Sequence, residues 1–245
     1  MVPQENKRKQ SSLMSFSSYF KDSSHRFYGA VTALVMLTLY ELLLVMGSPS
    51  GISIRNAPDA WFRTLLFYVG ASPHQMIFIL ITFSLIAIVV FHDSTFVWRS
   101  KIFLGILAES IFLALISGFL IQSIIAQLLF MTGGITHSVL GDLALSIGAG
   151  LFEELFFRVF LTTLLIWIGS RFIRVKGLAA LLAILIASFL FSASHYIGSA
   201  GDPLELYSFL FRFLAGIWFT SIYAVRGFAI VSLTHAFYDI FVLLF

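Results

Sequence analysis

Glu153 and Glu154 are adjacent, and Arg158 follows one helical turn later, in the run Leu151-Phe152-Glu153-Glu154-Leu155-Phe156-Phe157-Arg158. The flanks from Leu143 to Ile168 are largely apolar. A charge near the centre of a bilayer costs about 2.5–3.5 kcal/mol on insertion scales, so two carboxylates and a guanidinium at that depth imply chemistry. Two more polar groups interrupt apolar stretches: Phe191-x-x-x-His195 and His235-x-x-x-Asp239. Glu154 and Arg158 stand at i, i+4 in acid-first order and can pair on one helix face. Glu153 lies about 100° further round, free to face a cavity and accept a proton. His235 and Asp239 share the same i, i+4 spacing, so the carboxylate can fix the tautomer and orientation of the imidazole. Carboxylates and imidazoles together are the equipment of general acid–base catalysis.

The composition says what must hold these groups. Of 245 residues, 59% are hydrophobic and 11% charged, with a mean hydropathy of +0.98. A soluble domain carries about 25% charged residues, so the chain reads as an integral membrane protein. The net charge of +3 does not point to nucleic acid, because the basic residues gather at the ends of apolar segments, where they set topology. Cysteine is absent, which excludes disulfides, thiol nucleophiles and cysteine metal sites.

An all-α, polytopic fold of about seven transmembrane helices follows, with the polar site among the last four. The spans are expected at Phe27–Gly47, Gln75–Phe91, Ile102–Phe130, Leu143–Gly169, Leu178–Gly198, Leu204–Val225 and Phe228–Phe245. Trp61–Val69 reads as a short interfacial helix. Lys7, Arg8, Lys9, Lys21, Arg26, Arg99, Lys101, Arg171, Arg174, Lys176 and Arg226 fall on one side of this arrangement. The positive-inside rule then puts the N-terminus inside and the C-terminus outside, in a prokaryotic cytoplasmic membrane. The first span is expected to stay as an anchor, because no small-x-small cleavage site follows it closely. Glu109 and Arg212 are expected to form an interhelical pair, and Glu41 to lie at the interface. The domains read as a basic, Ser-rich cytoplasmic segment (1–26), N-terminal helices of unrecognised type (27–141) and a site-bearing core (142–245).

The three motifs, in order and each on its own span, resemble those of the CAAX protease and bacteriocin-processing family, the Abi-type intramembrane proteases. The family pattern is EExxxR, FxxxH and HxxxN or HxxxD, matched here by Glu153-Glu154-x-x-x-Arg158, Phe191-x-x-x-His195 and His235-x-x-x-Asp239. Phe157 before the arginine and Gly216…Arg226-Gly227 before the last motif also match. The resemblance covers Asp142–Val242. It implies an intramembrane endopeptidase acting on a membrane-associated protein or peptide within the lipid bilayer, without nucleic acid and without a cofactor. By the same resemblance Glu153 would be the general base on a water held with His195. His235 would stabilise the oxyanion, and Glu154 and Arg158 would hold the base in place. Asp239 stands where studied members carry asparagine. An ionised aspartate cannot donate to an oxyanion, so it is assigned to orienting His235.

Other readings are distinguishable. Zinc on Glu153, His195 and His235 would give three ligands plus water, a catalytic pattern, although no H-E-x-x-H run is present. A non-catalytic relative serving self-immunity or as a scaffold would be expected to lack a key position, and all are filled. A transporter would show inverted repeats or broken helices, and neither is visible in the sequence.

Overall fold

A computed structural model of the chain describes residues 16–47, 54–92, 98–125, 139–197 and 201–244. The secondary structure among them is helical: α1 (Phe16–Ser23), α2 (Arg26–Gly47), α3 (Ala57–Tyr68), α4 (Pro73–Phe91), α5 (Ser100–Ile125) and α6 (Val139–Gly148) come first. They are followed by a π-helical stretch π1 (Ala149–Thr162), then α7 (Thr163–Phe172), α8 (Lys176–Ser194), α9 (Leu206–Arg226) and α10 (Phe228–Leu244). Five helices, α2, α4, α5, α8 and α9, are long and apolar enough to cross a membrane, and α10 is a shorter apolar one. The expected fourth span is the run α6–π1–α7. It is one continuous helix, since Gly148 and Thr163 at the junctions keep right-handed helical angles. Lys7, Arg8, Lys9, Gly198, Phe245 and the expected end of the third span at Phe130 lie outside the described residues.

Local sequence explains the boundaries. Ser72 and Gln75 form a reciprocal capping box with Pro73 in the first turn, so α4 starts there. The interfacial helix begins at Ala57, ahead of the expected Trp61, because Pro58 suits a first helical turn. Gly227 alone separates α9 from α10. Its φ of +77° is a region other residues avoid, and it lets the chain reverse in one step.

The core is organised around α10. Ile230, Val231, Ser232 and Thr234 are fully buried, and Ala229, Leu233, His235 and Ala236 nearly so. A helix buried on all faces is surrounded by others, here α2, α5, α6, π1 and α9. By contrast α4 buries only Met76 and packs on α2 and α3, leaving most of its apolar surface to lipid.

Two charged knots hold the ends. At one, Arg226 pairs with Glu109 through Nε (2.5 Å) and Nη2 (2.7 Å) and donates to Ser23 and Ser24. Tyr19 donates to Glu109 at 2.6 Å. Burial, that bond and the Glu109 charge push its phenol above the usual range. The expected Glu109–Arg212 pair does not form. Arg212 sits 14 residues before Arg226 on α9, about 21 Å away along the axis, and bonds Asp202 instead. At the other end Glu41 is held by Arg55 and Arg63, both of which also bind Asp59, while Tyr40 donates to Asp59 at 2.9 Å. Burial pulls the Arg55 guanidinium down, but its bonds to Glu41 and Asp59 outweigh this and hold its pKa above the ordinary value. Glu41 thus anchors α3 to α2.

Candidate active site

The π1 stretch carries Glu153, Glu154 and Arg158. Stretches of π-helix are rare and concentrate at functional sites. The wider turn is visible where Thr162 Oγ1 donates to the Phe157 carbonyl, five residues earlier, at 2.7 Å. Register against α10 is set by Gly150. A Cβ there would press into the Ser232 carbonyl oxygen and stand 2.8 Å from the Ala236 Cβ. Only a bare backbone admits this approach, and it lays π1 directly on the turn of α10 that presents His235.

The result is a buried triad. Arg158 Nη1 lies 3.0 Å from Glu154 Oε1, and His235 Nδ1 donates to the same oxygen at 2.7 Å. Glu154 is 0% exposed, Arg158 1% and His235 5%. Aromatic rings close the triad. The Arg158 guanidinium lies 4.5 Å from the Phe191 ring centre and 5.8 Å from that of Phe219. Phe219 in turn stacks flat on His235, with centroids 4.5 Å apart and 16° between the planes. Glu154 Oε2 and both Arg158 terminal nitrogens have no well-aligned hydrogen-bond partner among the described residues. The triad is therefore held by charge and stacking more than by directed bonds.

Glu153 differs from its neighbour. It is partly exposed, forms no ion pair among the described residues, and lies within electrostatic reach of Arg158, His235 and Asp239. The i, i+4 reading of Glu154–Arg158 holds, and so does the separation of the two glutamates by face. The reading of Asp239 needs correction. Its Oδ2 is 3.6 Å from His235 Nε2, beyond hydrogen-bond length. Glu154 makes the close bond, at Nδ1, so Glu154 orients the ring and Asp239 stands across the other nitrogen.

His195 caps the C-terminus of α8, with Nδ1 2.9 Å from the Phe191 carbonyl. A carbonyl only accepts, so Nδ1 carries the proton in this contact and Nε2 keeps a lone pair. The ring meets Phe191 edge-on at 5.0 Å, and Phe191 meets Phe157 at 5.1 Å. His195 thus joins the cluster through the aromatic wall. It has no carboxylate within ion-pair distance among the described residues. Nor is any group of three His, Asp or Glu side chains there placed to hold a metal ion.

Sequence reasoning missed Phe219, one of 28 phenylalanines with no motif to mark it. It also missed Gly150, where a glycine within an apolar helical run was a usable sign of close backbone approach.

Residues 135–241 match the family described as type II CAAX prenyl endopeptidase Rce1-like. That segment is of the CAAX protease family. The match spans all three motifs and leaves the first 134 residues unassigned. No curated protein and no solved structure matches the chain. The family segment and the apolar helices together give a multi-pass membrane protein with a membrane-protease role, which entails a surrounding bilayer and a membrane-associated substrate.

Proposed function

We propose that this chain is an intramembrane endopeptidase of the glutamic type, hydrolysing a peptide bond near a membrane-tethered end of its substrate with water activated by Glu153. The observation that carries the reading is the contrast between the two glutamates. Glu154 is fully buried and committed to Arg158 and His235, while Glu153 is partly exposed and uncommitted beside them.

In the proposed step Glu153 takes a proton from water, and the His195 Nε2 lone pair accepts the water's other hydrogen. The hydroxide oxygen bonds to the scissile carbonyl carbon. Protonated His235, its Nδ1–H spent on Glu154, donates Nε2–H to the oxyanion, a preorganised electrostatic contribution. Asp239 stabilises the imidazolium from the Nε2 side. Collapse breaks the C–N bond, and Glu153 returns its proton to the leaving amine. No cofactor takes part.

The 142–245 segment supplies the chemistry, and the 27–141 helices enclose it. This division is supported by α2 and α5 packing on α10. The N-terminus lies in the cytoplasm and the C-terminus outside. In support, the Arg99–Asp22 and Arg226–Ser23 contacts gather basic groups and α1 at one end of the bundle. The test compares purified wild-type protein with Glu153→Gln on membrane-derived peptides. The variant should lose at least about a hundredfold in rate, and near-normal cleavage would reject the assignment.

A further inference from the structure

Beside His195 stands a polar group that the proposed chemistry does not use. Arg212 begins the inward face of α9, where Ala215, Gly216 and Phe219 are the next buried positions. Its guanidinium lies 5.1 Å from the Tyr196 ring centre, and the Tyr196 hydroxyl is fixed by a 2.8 Å bond to Ser208. An aromatic platform of this kind holds a cation in place. Nη2 pairs with Asp202 at 2.5 Å, while Nη1 is buried with no hydrogen-bond partner among the described residues. Asp202 is itself 54% exposed at the side chain. An ion pair open to water is weak and easily exchanged. The guanidinium is thus rigid, half engaged, and paired with a carboxylate that another carboxylate can replace.

Its distance from the chemistry is set by the helix. Arg212 precedes Phe219 by two helical turns on the same face, about 10 Å at 1.5 Å per residue, and Phe219 is stacked on His235. An extended peptide rises about 3.3 Å per residue, so a chain with its scissile carbonyl at His235 reaches Arg212 in roughly three residues. The backbone N–H of Asp202 also bonds the His195 carbonyl at 2.9 Å, so the same turn carries both Asp202 and a wall of the site.

We propose that Arg212 is a carboxylate-binding subsite, taking an anionic group of the substrate about three residues from the scissile bond. The proposal rests on the protease reading for its geometry, but its test does not require turnover. The carboxylate may be given by a chain terminus or by an acidic side chain, and the probes separate these sources. They are a fluorescent-labelled hexapeptide of Val, Leu and Ala as its C-terminal carboxylate, the same peptide as its amide, and an amide ending in Asp. Binding is measured to full-length protein in detergent micelles.

The carboxylate form should bind at least about tenfold tighter than the plain amide, as for a charge-assisted hydrogen bond. Arg212→Gln should bring the ratio to about one while leaving amide binding unchanged. A merely structural role would weaken both peptides together. Asp202→Asn removes the competing carboxylate and should increase the preference, which keeps the test open if Arg212→Gln fails to fold. Tight binding of the Asp-terminated amide would place the anion on a side chain rather than a terminus. Equal binding of carboxylate and plain amide, including no binding of either, with the Asp-terminated amide also unfavoured, overturns the proposal. So does a preference that persists in Arg212→Gln. Cleavage of the same peptides by wild type is scored separately: binding preference without hydrolysis rejects the protease reading and leaves the subsite standing.

Discussion

Replacing Glu154 should cost stability, whereas replacing Glu153 should not, although the two are adjacent and chemically identical. Glu154 Oε1 is shared by Arg158 at 3.0 Å and His235 at 2.7 Å, at a place where all three side chains are almost wholly buried. In Glu154→Gln the Arg158 guanidinium keeps only the faces of Phe191 and Phe219, with no carboxylate in contact. Breaking a buried pair by removing one partner costs about 3–5 kcal/mol, against a total of about 5–15 kcal/mol for a typical domain. Arg158→Met should cost less, because Glu154 retains His235 and Met fills the slot between the rings. In the double variant the stranded cation is gone. Its loss should therefore fall short of the sum of the single losses by about 1–3 kcal/mol. Tryptophan-monitored unfolding in mixed micelles measures all four corners of the cycle. Additivity within about 0.5 kcal/mol would show that Glu154 and Arg158 do not depend on each other, and the account of the triad would be wrong.

Three further outcomes are expected. Because Glu154 already orients His235, Asp239→Asn should keep activity within about tenfold and Asp239→Leu should lose about a hundredfold; equally severe losses in both would show that the carboxylate charge itself is required. Exhaustive chelation followed by elemental analysis should leave active, metal-free protein, whereas loss restored by stoichiometric zinc would move Glu153, His195 and His235 into ligand roles. Gly150→Ala should destabilise by about 1–3 kcal/mol through overpacking and lower activity with it, since the new methyl meets Ser232 and Ala236 of α10; unfolding and rate unchanged from wild type would show that this contact does not set the register of His235.

What could be read in the sequence was what a single helix encodes. Glu154–Arg158 and Phe191–His195 are contacts within one turn, so residue spacing alone specified them. The same logic misled at His235. Spacing nominated Asp239, four residues on, but the close partner is Glu154, 81 residues earlier on another helix. Only the packing of π1 on α10 creates that bond. Arg212 failed for a related reason: knowing that it and Glu109 were both within spans did not say which ends of those spans meet. The π-helical turn was equally hidden, because a periodicity of 3.6 was assumed throughout and no residue type marks the wider turn.

The central claim is that Glu153, and not its neighbour, is the proton acceptor. The most direct measurement is the single-turnover cleavage rate of Glu153→Gln in protein shown by unfolding to be as stable as wild type. Glutamine keeps the shape and removes the base. The account predicts a loss of at least about a hundredfold with unchanged stability, since Glu153 makes no ion pair among the described residues whose removal would be felt. A stable variant cleaving at close to the wild-type rate would contradict it.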